Sequence, residues 1–213
     1  MTFDPRIHHR RSVRLKGHDY SQPGMYYVTV RTKGGKCHFG EIADGKMNLS
    51  SVGRIAEECW KRIPEHFVNV SLGIYQMMPN HIHGIVEIVE CSAGEDPPAS
   101  SRKDLINQVR TSARAGKGGS ATWPLMKNPK QTLGKIVRSF KAEATKKIHD
   151  TGLVDFAWLG RFYEHVIRDG EDLDRIREYI LENPANWKAD EYYPGNIRMD
   201  PVHRARPDWS PLD

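Results

Sequence analysis

The chain reads as an α+β protein, an antiparallel sheet with helices packed on one face. Three observations lead there. Runs of β-branched and aromatic residues punctuate the sequence. Between them lie segments whose apolar residues recur at three and four, the stripe of a helix resting on a sheet. The link Met78-Pro79-Asn80 between two of the runs is too short for a crossover, so those strands pair antiparallel.

The elements follow in order. Asp19-Tyr20-Ser21-Gln22-Pro23-Gly24 is a turn that leads into a strand from Tyr26 to Thr32, stopped by Gly34-Gly35. His38–Ile42 and Lys46–Leu49, joined through Ala43-Asp44-Gly45, make a short hairpin with an Asp-Gly turn. Ser50-Ser51 caps a helix whose buried stripe is Val52, Ile55, Ala56, Cys59, Trp60 and Ile63; Pro64 ends the pattern. Val68 to Gln76 and His81 to Val89 are the next strands. Thr132 to His149 is a second helix, with Leu133, Ile136, Val137, Phe140, Ala144 and Ile148 inward. An extended aromatic segment runs from Phe156 to Arg168. A third helix enters at Asp169-Gly170 and continues to about Glu182, with Leu173, Ile176 and Ile180 inward.

Composition divides the chain. Residues 90–130 are rich in Gly, Ser, Ala and Pro and read as a flexible insertion in a catalytic domain spanning 1–187. Residues 188–213 carry four prolines and no periodicity, a tail draped on the surface or disordered. Net charge is +5, yet residues 101–150 hold 12 lysines and arginines against 3 acidic residues, a local +9 that leaves −4 for the remainder. Such a segment is either a polyanion contact or a solvated basic loop. Three widely spaced cysteines, Cys37, Cys59 and Cys91, form no Cys-x-x-Cys and argue against a disulfide framework. No apolar signal core opens the chain and no run reaches the roughly 18 apolar residues of a membrane span, so the expected location is the cytoplasm, away from membranes.

The chemistry centres on Met77-Met78-Pro79-Asn80-His81-Ile82-His83-Gly84-Ile85. On a strand, residues two apart share a face, so His81 and His83 present two imidazoles together while Ile82 packs behind them. That is half of a metal site, or two unrelated histidines on a half-exposed strand; the pattern is short enough to arise by chance. On the third helix, Tyr179 and Asn183 are four apart and project from one face. Alone, Tyr179 reads equally as a core tyrosine with its hydroxyl at the surface.

Taken together, these pieces resemble the HUH single-tyrosine transposases (histidine–hydrophobe–histidine), in particular the REP-associated tyrosine transposases. The resemblance rests on four stretches in the family's order: Gly17-His18-Asp19-Tyr20-Ser21 leading into Tyr26-Tyr27-Val28-Thr29, then Met78-Pro79-Asn80-His81-Ile82-His83-Gly84-Ile85, then Arg161-Phe162-Tyr163-Glu164-His165-Val166-Ile167-Arg168, then Tyr179-Ile180-Leu181-Glu182-Asn183-Pro184. The resemblance implies a ferredoxin-like sheet whose central strand carries His81 and His83 opposite a helix that carries the nucleophile Tyr179, with Asn183 as third metal ligand. It implies cleavage and rejoining of single-stranded or hairpin DNA through a 5′-phosphotyrosine, by a monomer or a homodimer. A mixed nitrogen and oxygen donor set suits Mg²⁺ or Mn²⁺, since a closed zinc site would need a fourth protein ligand that the sequence does not reveal. DNA contacts are expected from Arg10, Arg11 and Arg14, from Lys135, Arg138 and Lys141 on the second helix, and from Arg161 and His165. Three departures from the family stand out: the 90–130 insertion, Trp158-Leu159-Gly160 where the family has Trp-Gln, and the tail after Trp187. Competing readings are a relaxase or replication-initiator nickase, a non-catalytic nucleic-acid-binding module, and a hydrolytic metalloenzyme.

Overall fold

Alternation along β1 (Gly24–Arg31) decides the architecture. Tyr26, Val28 and Val30 point one way and Tyr27 and Thr29 the other, and all five are buried, so both faces of this strand must be covered. The computed structural model describes residues 15, 17–90 and 132–196.

Four strands form the sheet: β1, β4 (Val70–Met78), β5 (His81–Ile88) and β6 (Tyr163–Ile167), in the order β4-β5-β1-β6 with every neighbouring pair antiparallel. In chain order these strands alternate with α1 (Ser51–Lys61) and α2 (Leu133–Asp150) as β-α-β-β-α-β, the ferredoxin-like arrangement the sequence predicts. β2 (Gly40–Ala43) and β3 (Lys46–Leu49) pair separately as a hairpin. Its turn places Asp44 at φ 51° and Gly45 at φ 69°, the left-handed conformation that an Asp-Gly pair accepts. The caps also follow the sequence. Ser50 accepts from the Gly53 N–H, Thr132 from Lys135, and Asp169 from Asp172 at the start of α3 (Gly170–Glu182).

Two cores sit on opposite faces of the sheet. On one, Tyr26, Val28, Val30, Ile82, Val86 and Ile88 meet Ala56, Cys59 and Trp60 of α1 and Ile136, Val137 and Phe140 of α2. On the other, Tyr27, Ile85 and Ile167 meet Ile176 and Ile180 of α3. Two helices therefore share a face as expected, and the third lies over the face that carries the histidines.

Gly84 marks where α1 presses hardest on β5. A Cβ there would stand 2.5 Å from Cζ2 of Trp60, which is fully buried and has no room to retreat. Gly84→Ala is expected to destabilise the fold by about 1–3 kcal/mol through overpacking. The check is a lower denaturant midpoint with an unchanged slope. The insertion at 90–130, Arg10, Arg11 and Arg14 fall almost wholly or wholly outside the described residues, as do residues 197–213.

Candidate functional site

Antiparallel register brings the site together. His83 pairs with Thr29, His81 with Arg31 and Ile85 with Tyr27, so these six side chains share the face beneath α3. Both imidazoles are fully buried, and their Nε2 atoms stand 2.8 Å apart.

Asn80 settles the protonation of His81. Its Nδ2 donates to the carbonyls of Gly35 (3.0 Å) and Tyr192 (2.8 Å), which fixes the orientation of the amide. Oδ1 is then an acceptor facing His81 Nδ1 at 2.7 Å, so His81 carries its proton on Nδ1 and offers the Nε2 lone pair to the pocket. His83 is held differently. Its Nδ1 faces two hydroxyls, Tyr27 at 2.7 Å and Thr29 at 3.0 Å, each able to donate or accept. This ring can change tautomer; with His81 fixed, its own Nε2–H makes the bond between the two rings.

The other half of the site comes from α3 and the segment behind it. Tyr179 lies with its ring centroid 5.2 Å from that of His83. Its hydroxyl hydrogen-bonds with Asn183, one turn on, and with Tyr27. Burial drives the Tyr179 pKa well above the usual phenol value, and the charges of Asp190 and Glu191 push it further; Asn183 and Tyr27 oppose the rise. Asn183 is buried at the end of α3, with Oδ1 unpartnered.

Asp190 was not anticipated. The polypeptide after α3, read from sequence from residue 188 on as a tail draped on the surface or disordered, packs into the pocket through a 3₁₀ turn at Trp187–Ala189. Asp190 is buried, its Oδ2 lies 3.9 Å from His81 Nε2, and that oxygen has no hydrogen-bond partner. One ligand atom from each of His81, His83 and Asp190 falls within 4.8 Å of the others. Burial raises the Asp190 carboxyl; the Tyr192 N–H, Asn183 and Arg31 counteract it. Two imidazole nitrogens and an orphaned carboxylate oxygen, with a second orphaned oxygen on Asn183, are a donor set that fits a divalent cation.

Burial also holds the imidazoles neutral. The His81 pKa is pushed well below its ordinary value by burial, then by His83 and Arg31, and burial alone takes His83 down to about 3. The unfolded chain binds these protons near pH 6.5 and the folded chain does not, so stability is complete above about 6.5 and declines as pH falls toward 3. The slope is about 1.4 kcal/mol per pH unit for each histidine. Denaturant unfolding of EDTA-treated protein is expected to show this acid-side loss, and His83→Gln to flatten it.

Of the expected DNA contacts, those on α2 lie away from this pocket. Lys135, Arg138 and Lys141 are on α2, across the sheet from the histidines. Arg138 and Lys141, with Lys146, Trp158 and Gly160, line a groove of about 570 Å³ there. Lys141 is tied down, donating to the carbonyls of Leu159 (2.8 Å) and Arg161 (3.2 Å), and burial lowers its pKa to about 8. His165 lies 2.7 Å from Asp172, joining β6 to α3. Burial would raise that carboxyl, but hydrogen bonds from His165 and Arg175 hold it below its ordinary value.

Fold and pocket together define an α+β protein with a buried His-His-Asp cluster beside a partly buried tyrosine. The chain belongs to one family with an uncharacterized protein of Haemophilus influenzae, 37% identical over 191 residues that span 90% of this chain and 97% of the relative. No family model matches. Among solved structures, a REP-associated tyrosine transposase bound to a REP hairpin aligns at a TM-score of 0.48 and 17% identity, over 90% of this chain and 95% of that one. A second, from Deinococcus radiodurans, aligns at 0.41 and 11%, over 78% of this chain and 95% of that one. No helix among the described residues is long and apolar enough to cross a membrane.

Proposed function

We propose that this protein is a transposase-type strand transferase, cleaving and rejoining single-stranded or hairpin DNA through a covalent 5′-phosphotyrosine. The observation that carries the reading is the placement of Tyr179 over the histidine pair, in one pocket with Asp190 and Asn183. The sequence motifs that resemble the HUH single-tyrosine transposases include these same residues, apart from Asp190.

In the proposed reaction the Tyr179 oxygen attacks phosphorus, the P–O3′ bond breaks, and the 3′ oxygen leaves to become a hydroxyl. The downstream strand remains joined to Tyr179 through its 5′ phosphate. A phosphodiester is exchanged for a phosphotyrosine, so an incoming 3′-OH can reverse the step without a nucleotide cofactor. His81, His83, Asp190 and Asn183 would hold Mg²⁺ or Mn²⁺, whose charge offsets that of the non-bridging oxygens and favours the phenolate. Asn183 and Tyr27 hydrogen-bond with the Tyr179 oxygen, which opposes the rise in its pKa and fixes its direction. Tyr27 also touches His83, so one hydroxyl sets the spacing between the two halves of the site.

Lys135 and Arg138, with Arg161, would bind other parts of the same DNA, such as a hairpin stem, because the sheet separates α2 from the pocket. The test is incubation of full-length protein with a hairpin oligonucleotide bearing a single-stranded extension, with Mg²⁺ or Mn²⁺. A protein–DNA adduct that survives denaturation is the expected product. Binding with no adduct under either metal sinks the reading.

A further inference from the structure

Arg31 closes β1 and pairs across the sheet with His81, on the same face. Its guanidinium carbon lies 3.9 Å from the centre of the Tyr192 ring, whose centroid is in turn 4.9 Å from that of His81. A guanidinium carbon held over a ring is attracted by the π face, a contact that accepts none of the group's N–H hydrogen bonds in the way a carboxylate or phosphate does. Nε is buried without a partner, and among the described residues the side chain makes no hydrogen bond or ion pair. Asp190 and Glu191 act on it only through their charge, and the Asp190 carboxylate is committed to the Tyr192 N–H and to the histidine side of the pocket.

A partly buried cation with unused donors is costly unless an anion completes it. The planar fork of arginine matches two oxygens of one phosphate, a fit that a neutral ligand cannot use. We propose that Arg31 is a phosphate-binding residue of this pocket, its guanidinium donating to non-bridging oxygens of a phosphodiester in the bound strand beside His81 and His83. The identity of the strand rests on the function proposed above; the anion site does not.

Two arms separate those ideas. In the first, full-length Tyr179→Phe protein binds a hairpin oligonucleotide with a single-stranded extension across a salt series, with and without Arg31→Gln. Loss of one single-strand phosphate contact is expected to reduce the slope of log affinity against log salt by about 0.7. Affinity should fall roughly 10-fold or more. Arg31→Lys should keep the slope and recover only part of the affinity, because it keeps the charge and loses the fork. It also carries the comparison if the glutamine variant does not fold. Unchanged slope and affinity in Arg31→Gln overturn the assignment. In the second arm, inorganic phosphate should raise the unfolding temperature of the parent protein by more than that of Arg31→Gln. If the parent binds no oligonucleotide but this difference persists, the DNA reading falls and the anion site stands. An equal phosphate effect in both proteins overturns the anion site.

Discussion

Tyr179→Phe is expected to abolish the covalent DNA adduct and to lower strand cleavage by roughly 10⁴-fold or more, the scale seen when a nucleophile is removed and its surroundings are left intact. The phenyl ring still fills its place beside Ile176 and Ile180, so only the hydrogen bonds to Asn183 and Tyr27 are lost. Stability should change by no more than about 1.5 kcal/mol, and oligonucleotide affinity should persist. Tyr27 and Tyr192 share this pocket with Tyr179, which makes a control necessary. Tyr27 is fully buried, with its hydroxyl already engaged by His83 and Thr29. Tyr192 lies against the Arg31 guanidinium and comes from the segment after α3. Tyr192→Phe should therefore retain the adduct. An adduct that survives Tyr179→Phe and disappears in Tyr192→Phe would transfer the role to that segment.

The second large effect concerns the cation. Mn²⁺ at a hundred times its dissociation constant is expected to stabilise the native protein by about 2.7 kcal/mol. The His81→Ala/His83→Ala double variant should show none of this gain and no adduct, since it removes both nitrogen donors. Asp190→Asn should weaken Mn²⁺ more than Asn183→Ala does, because it removes a formal charge as well as a ligand oxygen. Unfolding followed by calorimetry with and without Mn²⁺ checks all three. Full metal stabilisation in the double variant would remove the cation from the pocket.

Much of the site was legible in the sequence because its parts have local signatures. A two-residue period puts His81 and His83 on one face, and a four-residue spacing puts Tyr179 and Asn183 on one side of α3. Turn and cap residues located most element ends to within a few positions, although β6 begins only at Tyr163 and not at Phe156. What could not be read is long-range. An apolar stripe says that a helix is buried but not against which face of a sheet, so α3 over the histidines and α2 behind them look alike in sequence. For that reason the sequence put every helix on one face, whereas α2, with Lys135, Arg138 and Lys141, lies across the sheet from α3 and the histidines. Asp190 has no periodic partner and follows the last predicted helix, and the packing of Trp187 and Tyr192 against His81 brings it in. Asn80 read as a turn residue; its control of the His81 tautomer depends on carbonyls of Gly35 and Tyr192, 45 and 112 residues away.

The most direct test of the central claim is peptide mapping by mass spectrometry of the adduct formed on a hairpin oligonucleotide with Mn²⁺. The account predicts a single modified peptide carrying the downstream DNA through its 5′ phosphate on Tyr179, with the upstream strand released with a free 3′-OH. DNA attached through a 3′ phosphate, attachment to another residue, or cleavage that leaves both ends free of protein would contradict it.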